Sequence, residues 1–338
     1  MIKIMYSFIV PVYNARNTIV RCLDSIYKLP LNKCKFEVIV IDDCSTDNTV
    51  EVIEEYAKKH ASIMLLRQNE NHRQGAARNR GVSCASGKYI VFVDSDDESV
   101  DGVVGALHLA EKHDLDMVAM HYVTVDEYGN IAEKDSIVLD GIFTGVELQT
   151  KHPYWGTAPW SYVYKKSFLQ KVDYPFREDV FYEDSDFVSV HLFHARSMMY
   201  SLYSGYKAYY NAQSTTHTIT YKHMVDYMLL GTRMLNFYRS LESKKTSYSL
   251  SILEGGCYNI WYSCRGLIKL SSIKERFAFY NRLDAFINRH SLMNDIIDSS
   301  YCTFWVRICI QYKYYTIALV SIVHMIYKIY CWFKSFFK

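Results

Sequence analysis

The sequence predicts an α/β fold, a mostly parallel central sheet with helices on both faces, followed by a helical C-terminal extension. Three observations carry this. Short apolar runs alternate with amphipathic helical patterns over the first 125 residues, two of those runs end in clusters of acids, and from about residue 221 onward only helical, tyrosine-rich patterns follow. Strands separated by helices are the mark of a parallel sheet covered on both faces.

The runs YSFIVPV (6–12), FEVIVI (36–41), SIMLLR (62–67), KYIVFV (88–93) and DMVAMHYV (116–123) read as strands, because continuous apolar stretches of this length suit a doubly buried strand. Between the first two, Ile19, Leu23, Ile26 and Tyr27 fall at helical spacing after Asn14 and Asn17. Val50, Ile53 and Ala57 do so after Ser45, Thr46 and Asp47, which read as capping residues. Gly75–Ala85 and Val100–His113 supply two further helices. After residue 125 the alternation stops: Asp126–Asn130 reads as a hairpin turn, and a mixed segment runs to about residue 215. The expected organisation is a catalytic unit over 1–220, with a ligand-binding half at 1–125 and a second half at 126–220, then a helical extension over 221–338.

Composition removes several classes. Half of the 338 residues are hydrophobic and the net charge is +2, so the chain is globular and carries no basic surface for a nucleic acid. The nine cysteines include no CxxC pair, which argues for reduced thiols and against a zinc site. The N-terminal run is short, ends at Pro11 and has no small-residue cleavage site after it, so it reads as a first strand of a cytoplasmic protein rather than a leader. No GxGxxG follows the first strand and no GxxxxGK[ST] occurs, which disfavours dinucleotide enzymes and P-loop ATPases.

The acids carry the chemistry. FEVIVI runs into Asp42-Asp43, and KYIVFV into Asp94-Ser95-Asp96-Asp97. Ligands of open α/β sheets bind beyond the carboxyl ends of the strands, and two strands deliver acids to that edge. Asp94 and Asp96 are spaced to share a divalent cation, whose remaining ligands would be water or a diphosphate. The same acids would also suit a solvated turn at the start of the Val100–His113 helix. Glu183-Asp184 reads by local rules as an acidic first turn to a helix beginning near Ser185. Trp160 reads as a core residue and Trp155 as an exposed one.

SFIVPVYNARNTIVRCLDSI, VIVIDDCSTDNT, NHRQGAARNRGVSCASGKYIVFVDSDD, APWSYVYKKSFL and VFYEDSDF, in that order over residues 4–215, resemble the family 2 glycosyltransferases of the GT-A fold. The resemblance implies an inverting transferase that uses a nucleotide-diphospho-sugar with Mg²⁺ or Mn²⁺. By position, Pro11, Tyr13 and Asp43 correspond to the nucleotide-binding residues, with Tyr13 against the base and Asp43 bonding it. Asp94, Ser95 and Asp96 correspond to the DxD motif, with Asp96 as direct metal ligand and Asp94 nearer the ribose or a metal-bound water. Arg78 corresponds to a residue beside the diphosphate or supporting the DxD loop. Asp184 corresponds to the catalytic base and Glu183 to the residue orienting it. His217, in QSTTHTIT, is a candidate third metal ligand, and a lone histidine between threonines is equally a loop residue.

No QxxRW motif and no group of membrane spans accompany these motifs, so the chain reads as a single-addition enzyme rather than a processive synthase. Residues 301–338 hold five Lys or Arg and no acid. YYTIALVSIVHMIY (314–327) is shorter than the roughly 20 residues a spanning helix needs, and with the aromatic residues after it (314–337) it fits a basic helix lying on an anionic membrane surface. The expected partners are therefore a nucleotide-diphospho-sugar, probed first as UDP-linked, a glycan acceptor that could be lipid-linked, and the inner face of the cell membrane. The contrasting readings are a nucleotide- or glycan-binding module without turnover, and a nucleotidyltransferase.

Overall fold

The computed structural model describes residues 4–32, 35–133, 139–152, 156, 158–212, 220–242, 247–265 and 273–289. The chain divides into two compact units, residues 1–213 and 214–338.

The first unit runs β1 (Tyr6–Val12), α1 (Ile19–Lys28), β2 (Phe36–Asp42), α2 (Thr49–Ala57), β3 (Ile63–Arg67), α3 (Arg73–Cys84), β4 (Tyr89–Phe92), β5 (Glu98–Ser99), α4 (Gly102–His113), β6 (Met117–Val125), β7 (Ile131–Glu133), α5 (Gly145–Lys151), β8 (Tyr162–Lys165), α6 (Lys166–Val172), α7 (Asp184–His194) and β9 (Met198–Tyr209). Its sheet has the order β3-β2-β1-β4-β8-β6-β9-β5, with β7 hairpinned onto β6. The first four strands are parallel, as the alternating pattern requires. β8 then enters antiparallel to both β4 and β6, while β9 runs parallel to β6. The β6–β7 turn is the one read from Asp126–Asn130: the Asp126 carboxylate accepts the Tyr128 and Asn130 N–H groups, and Gly129 sits at φ 87°, a conformation that costs glycine nothing.

Every residue of β1, β2 and β4 is buried. Phe8, Val10, Val38, Val40 and Val91 pack in one core with Ile19, Leu23 and Ile26 of α1 and Val103 and Leu107 of α4. On the other face Phe92 meets Phe176, Tyr164 and Phe187 edge-on, and Phe176 stacks on Phe187 with centroids 3.6 Å apart. That aromatic cluster fixes the start of α7 against the sheet. Trp160 packs against the core but is only partly buried, stacked 4.2 Å from Tyr206 and edge-on to Tyr122; Trp155 lies outside the described residues.

The second unit is helical where described: α8 (Tyr221–Ser240), α9 (Ser247–Arg265) and α10 (Ile273–Arg289). α8 and α9 approach closely at Gly231, where a Cβ would lie 2.6 Å from the Gly256 carbonyl oxygen. Met228, Leu235, Ile252 and Ile260 are buried in this unit. Among the described residues no helix is long and apolar enough to cross a membrane. The 314–337 segment lies outside them.

Candidate active site

Three adjacent parallel strands end at one edge. The register sets Val12 beside Asp42 and Ile9 beside Phe92, so Tyr13, Asp43 and Asp94 leave the sheet as neighbours. Pro11 is buried within β1, whereas Tyr13 is 49% exposed at the edge. The two loops are stitched together: Asn14 N–H donates to Ser45 Oγ (2.9 Å), and Thr46 N–H donates to Asn14 Oδ1 (2.8 Å). The N-cap of α2 is Asn48, without a side-chain cap bond; of the expected caps only Asp47, one residue earlier, reaches the helix start, accepting the Thr49 N–H at 3.0 Å. Ser45 and Thr46 turn away because Asn14, in a left-handed conformation (φ 50°), offers them partners across the edge.

Asp43 is buried, and its Oδ1 accepts bonds from Gln68 Nε2 (2.6 Å) and the His72 N–H (2.8 Å). Burial raises its carboxyl above the ordinary range, and these donors oppose the rise. Asp42 is spent locally, accepting the Ser45 N–H.

The DSDD turn is not a helix cap. β5 intervenes, α4 starts at Gly102, and no acid lies in its first turn. Instead each acid has its own environment. Asp94 Oδ1 accepts from Arg78 Nη2 at 2.8 Å. Asp97 is buried, accepting from the Tyr206 hydroxyl (2.8 Å) and the Tyr209 N–H (2.7 Å), and burial followed by repulsion from Asp94 and Asp96 pushes it up to about 8. Glu98 lies 3.5 Å from Arg21 Nε and 3.9 Å from Lys207 Nζ. Asp96, half-buried beside Ser95, accepts from Asn211 Nδ2 at 2.8 Å, while Arg21 donates to its carbonyl. Asp96 and Asp97 are the two of the four with no ion pair among the described residues, and of these Asp97 is the more deeply buried. Tyr206 also accepts the Asp94 N–H at 3.1 Å. Tyr206→Phe removes one partner from each of two inward-facing groups, and is expected to lower stability by about 1–3 kcal/mol, read from the urea midpoint at constant m-value.

Arg78, 2% exposed, is the hub. It donates to Asp94 from β4's end, to Gln74 one turn earlier, and to Glu183 at the start of α7. Burial disfavours its charge, but the Asp94 and Glu183 carboxylates outweigh that and hold it protonated above its ordinary value. It thereby ties the Asp94 turn to the start of α7. α3 comes close to this junction because residue 75 is glycine; a Cβ there would collide with the Arg177 carbonyl oxygen.

Asp184 opens α7, with Asp186 in the same turn fully buried and accepting the Tyr174 hydroxyl at 3.1 Å. A helix N-terminus favours a carboxylate, yet burial and the adjacent Glu183 outweigh it and Arg78, pushing Asp184 up to about 7. His217 lies outside the described residues. Among those described, no group of three or more His, Cys, Asp or Glu could hold a metal unaided. Two neighbouring carboxylates such as Asp94 and Asp96 are by chemistry a donor set for a hard divalent cation only when substrate phosphates and water complete it. Gln68, His72, Arg21 and Asn211 were silent in sequence; each is a single polar residue in a loop or helix whose partner lies at least 25 residues away.

The fold is that of a GT-A domain. Residues 7–173 match the sequence model described as Glycosyl transferase family 2, and through them the chain belongs to the family 2 glycosyltransferases. It is 29% identical over 218 residues to the uncharacterised glycosyltransferase YibD of Escherichia coli, a match covering 62% of each protein. It is 39% identical over 92 residues to poly(ribitol-phosphate) β-N-acetylglucosaminyltransferase TarS of Staphylococcus aureus, covering 27% of this chain and 16% of TarS. The chain thus spans under two thirds of these relatives' lengths. In structure it resembles S. aureus TarS 1-349 in complex with UDP-GlcNAc, with a TM-score of 0.68 at 23% identity over 84% of this chain and 81% of that one.

Proposed function

We propose that the protein is an inverting glycosyltransferase that moves one sugar from a nucleotide-diphospho-sugar, UDP-linked, onto an acceptor glycan of a bacterial surface polysaccharide. The observation that carries this is the meeting, through Arg78, of a DxD acid and the Glu183–Asp184 pair beside the base-side carboxylate Asp43. Asp43 would accept an N–H of the nucleotide base and Tyr13 would pack on its ring. The acceptor hydroxyl gives its proton to the Asp184 carboxylate as its oxygen bonds to C1. The bond from C1 to the diphosphate oxygen breaks on the opposite face, so a single displacement inverts the anomeric centre. Mg²⁺ or Mn²⁺, held by Asp96 and Asp94, would neutralise charge on the departing nucleoside diphosphate. Arg78 keeps Asp94 and Glu183 in place for these tasks. The named activity of TarS and its complex with UDP-GlcNAc support a UDP-sugar donor, and the basic tail supports work at the inner membrane surface on a lipid-linked acceptor.

The test is UDP release from UDP-GlcNAc with Mn²⁺, without acceptor and then with candidate glycans. The expected result is metal-dependent release that Asp96→Ala abolishes. Tight UDP binding with no release from any UDP- or GDP-sugar would instead identify a binding module, and pyrophosphate release from a nucleoside triphosphate would identify a nucleotidyltransferase.

A further inference from the structure

The segment leading into Asp184 is joined to the Asp43 side of the site by a single residue acting three ways. The His72 N–H donates to Asp43 Oδ1 at 2.8 Å. Its carbonyl accepts the Asp179 N–H at 3.1 Å, and its Nδ1 lies 2.9 Å from Asp179 Oδ1. Neighbouring contacts repeat the join. The Arg73 guanidinium lies 3.7 Å from the Phe181 ring centroid, and the Asn79 side chain bonds both the N–H and the carbonyl of Phe176 at 2.9 Å. Arg73, Asp179 and Tyr182 all hold left-handed backbones, at φ 68°, 60° and 64°. Non-glycine residues keep that conformation only where their surroundings dictate it, and such residues gather at clamps and switches. Tyr182 is the residue directly before Glu183.

We infer that the His72–Asp179 pair is a latch that couples occupancy of Asp43 by the donor's base to the placement of Asp184. The inference rests on the proposed transfer reaction for the roles of Asp43 and Asp184. His72 and Asp179 are positioning residues in it. A base bonded to Asp43 orders residues 71–73, and the latch passes that order along residues 176–183 to the start of α7. The coupling is reciprocal: whatever loosens the latch weakens nucleotide binding by the same factor that donor binding tightens the segment.

The latch has its own pH signature. His72 faces Asp179 across the join, with Glu70 on its own loop, Arg73 at the start of α3 and Asp43 beyond β2. The bond to Asp179 raises the imidazole above its ordinary value, with smaller help from the charges of Asp179, Glu70 and Asp43. The charged pair is therefore complete at low pH and is lost as pH rises through that raised value. Both side chains reach water, so substitution leaves the core intact.

The experiment is calorimetric titration of UDP into wild type, Asp179→Asn, His72→Gln and the double variant, each with Mn²⁺ from about pH 6 to 8.5, alongside UDP release from UDP-GlcNAc. Each single variant is expected to weaken UDP by about fivefold or more and to lower kcat as well. The double variant should be no worse than the singles, and the wild-type fall in affinity with rising pH should be absent in Asp179→Asn and His72→Gln. Wild-type affinity, kcat and pH dependence in both single variants overturn the latch and leave the transfer reaction standing. The expected binding pattern without release of UDP by the wild type overturns the transfer reaction instead. A wild type that binds neither UDP nor GDP overturns both.

Discussion

Asp184→Asn is expected to lower turnover by about 10²–10⁴-fold while leaving UDP affinity close to that of the wild type. The amide keeps the size and the helix-start position of the carboxyl but cannot take a proton from the attacking hydroxyl. The pH profile carries a second, sharper expectation. Burial and Glu183 push Asp184 up to about 7, and Arg78 limits the rise. A base must be deprotonated to act, so the wild-type rate should climb as pH rises through about 7 and level off above it. In Asp184→Asn that limb should vanish. The measurement is UDP release against pH at saturating donor; a variant with wild-type rate would remove Asp184 from the chemistry.

Arg78→Met is expected to destabilise the fold by about 3–5 kcal/mol, the usual cost of leaving buried charges without their partner. The guanidinium is 2% exposed and Glu183 6%, with Asp94 at 19%, so water offers little relief. The urea midpoint reads the loss directly. Adding Glu183→Gln should restore part of it, because one of the stranded charges is gone. Arg78→Lys should not substitute well, since one compact ammonium cannot span two carboxylates that a planar fork reaches from separate nitrogens. Because Arg78 is also the charge that lowers Asp184, any variant that folds without it should need a higher pH to reach its plateau. Unchanged stability in Arg78→Met would show that the two carboxylates do not depend on it.

The parts of this architecture that were legible in sequence share one cause. β1, β2 and β4 are buried on both faces, so each is written as a largely apolar run, interrupted within β1 and β2 by the hydrogen-bonded Ser7 and Glu37, and the acids that end two of them stand out against it. β5 is two residues long and gives no pattern at all. β9 slips register between Met120 and Tyr122 of its neighbour, and with a break in the ladder its alternation of faces blurs. The site divides in the same way. Strand-end position singles out Asp43, Asp94 and Asp96 by local rules, whereas Glu183 and Asp184 needed the family resemblance. Their link to Arg78 crosses 105 residues, a distance over which one sequence shows no pairing. Ser45 and Thr46 mislead for a related reason: a local capping rule cannot see Asn14 approaching from another strand.

The place of β8 has a consequence for how the chain is made. Residues 162–165 slot between β4 and β6, both of which leave the ribosome earlier. Until then β4 and β6 each have an open side, on strands whose Tyr89–Phe92 and Met117–Met120 stretches are wholly buried in the finished protein. Unpaired, apolar strand edges are templates for pairing with other chains. The pairing order thus leaves two apolar edges in the middle of the sheet waiting for a strand made later, which is where the chain is most open to pairing with another copy during synthesis.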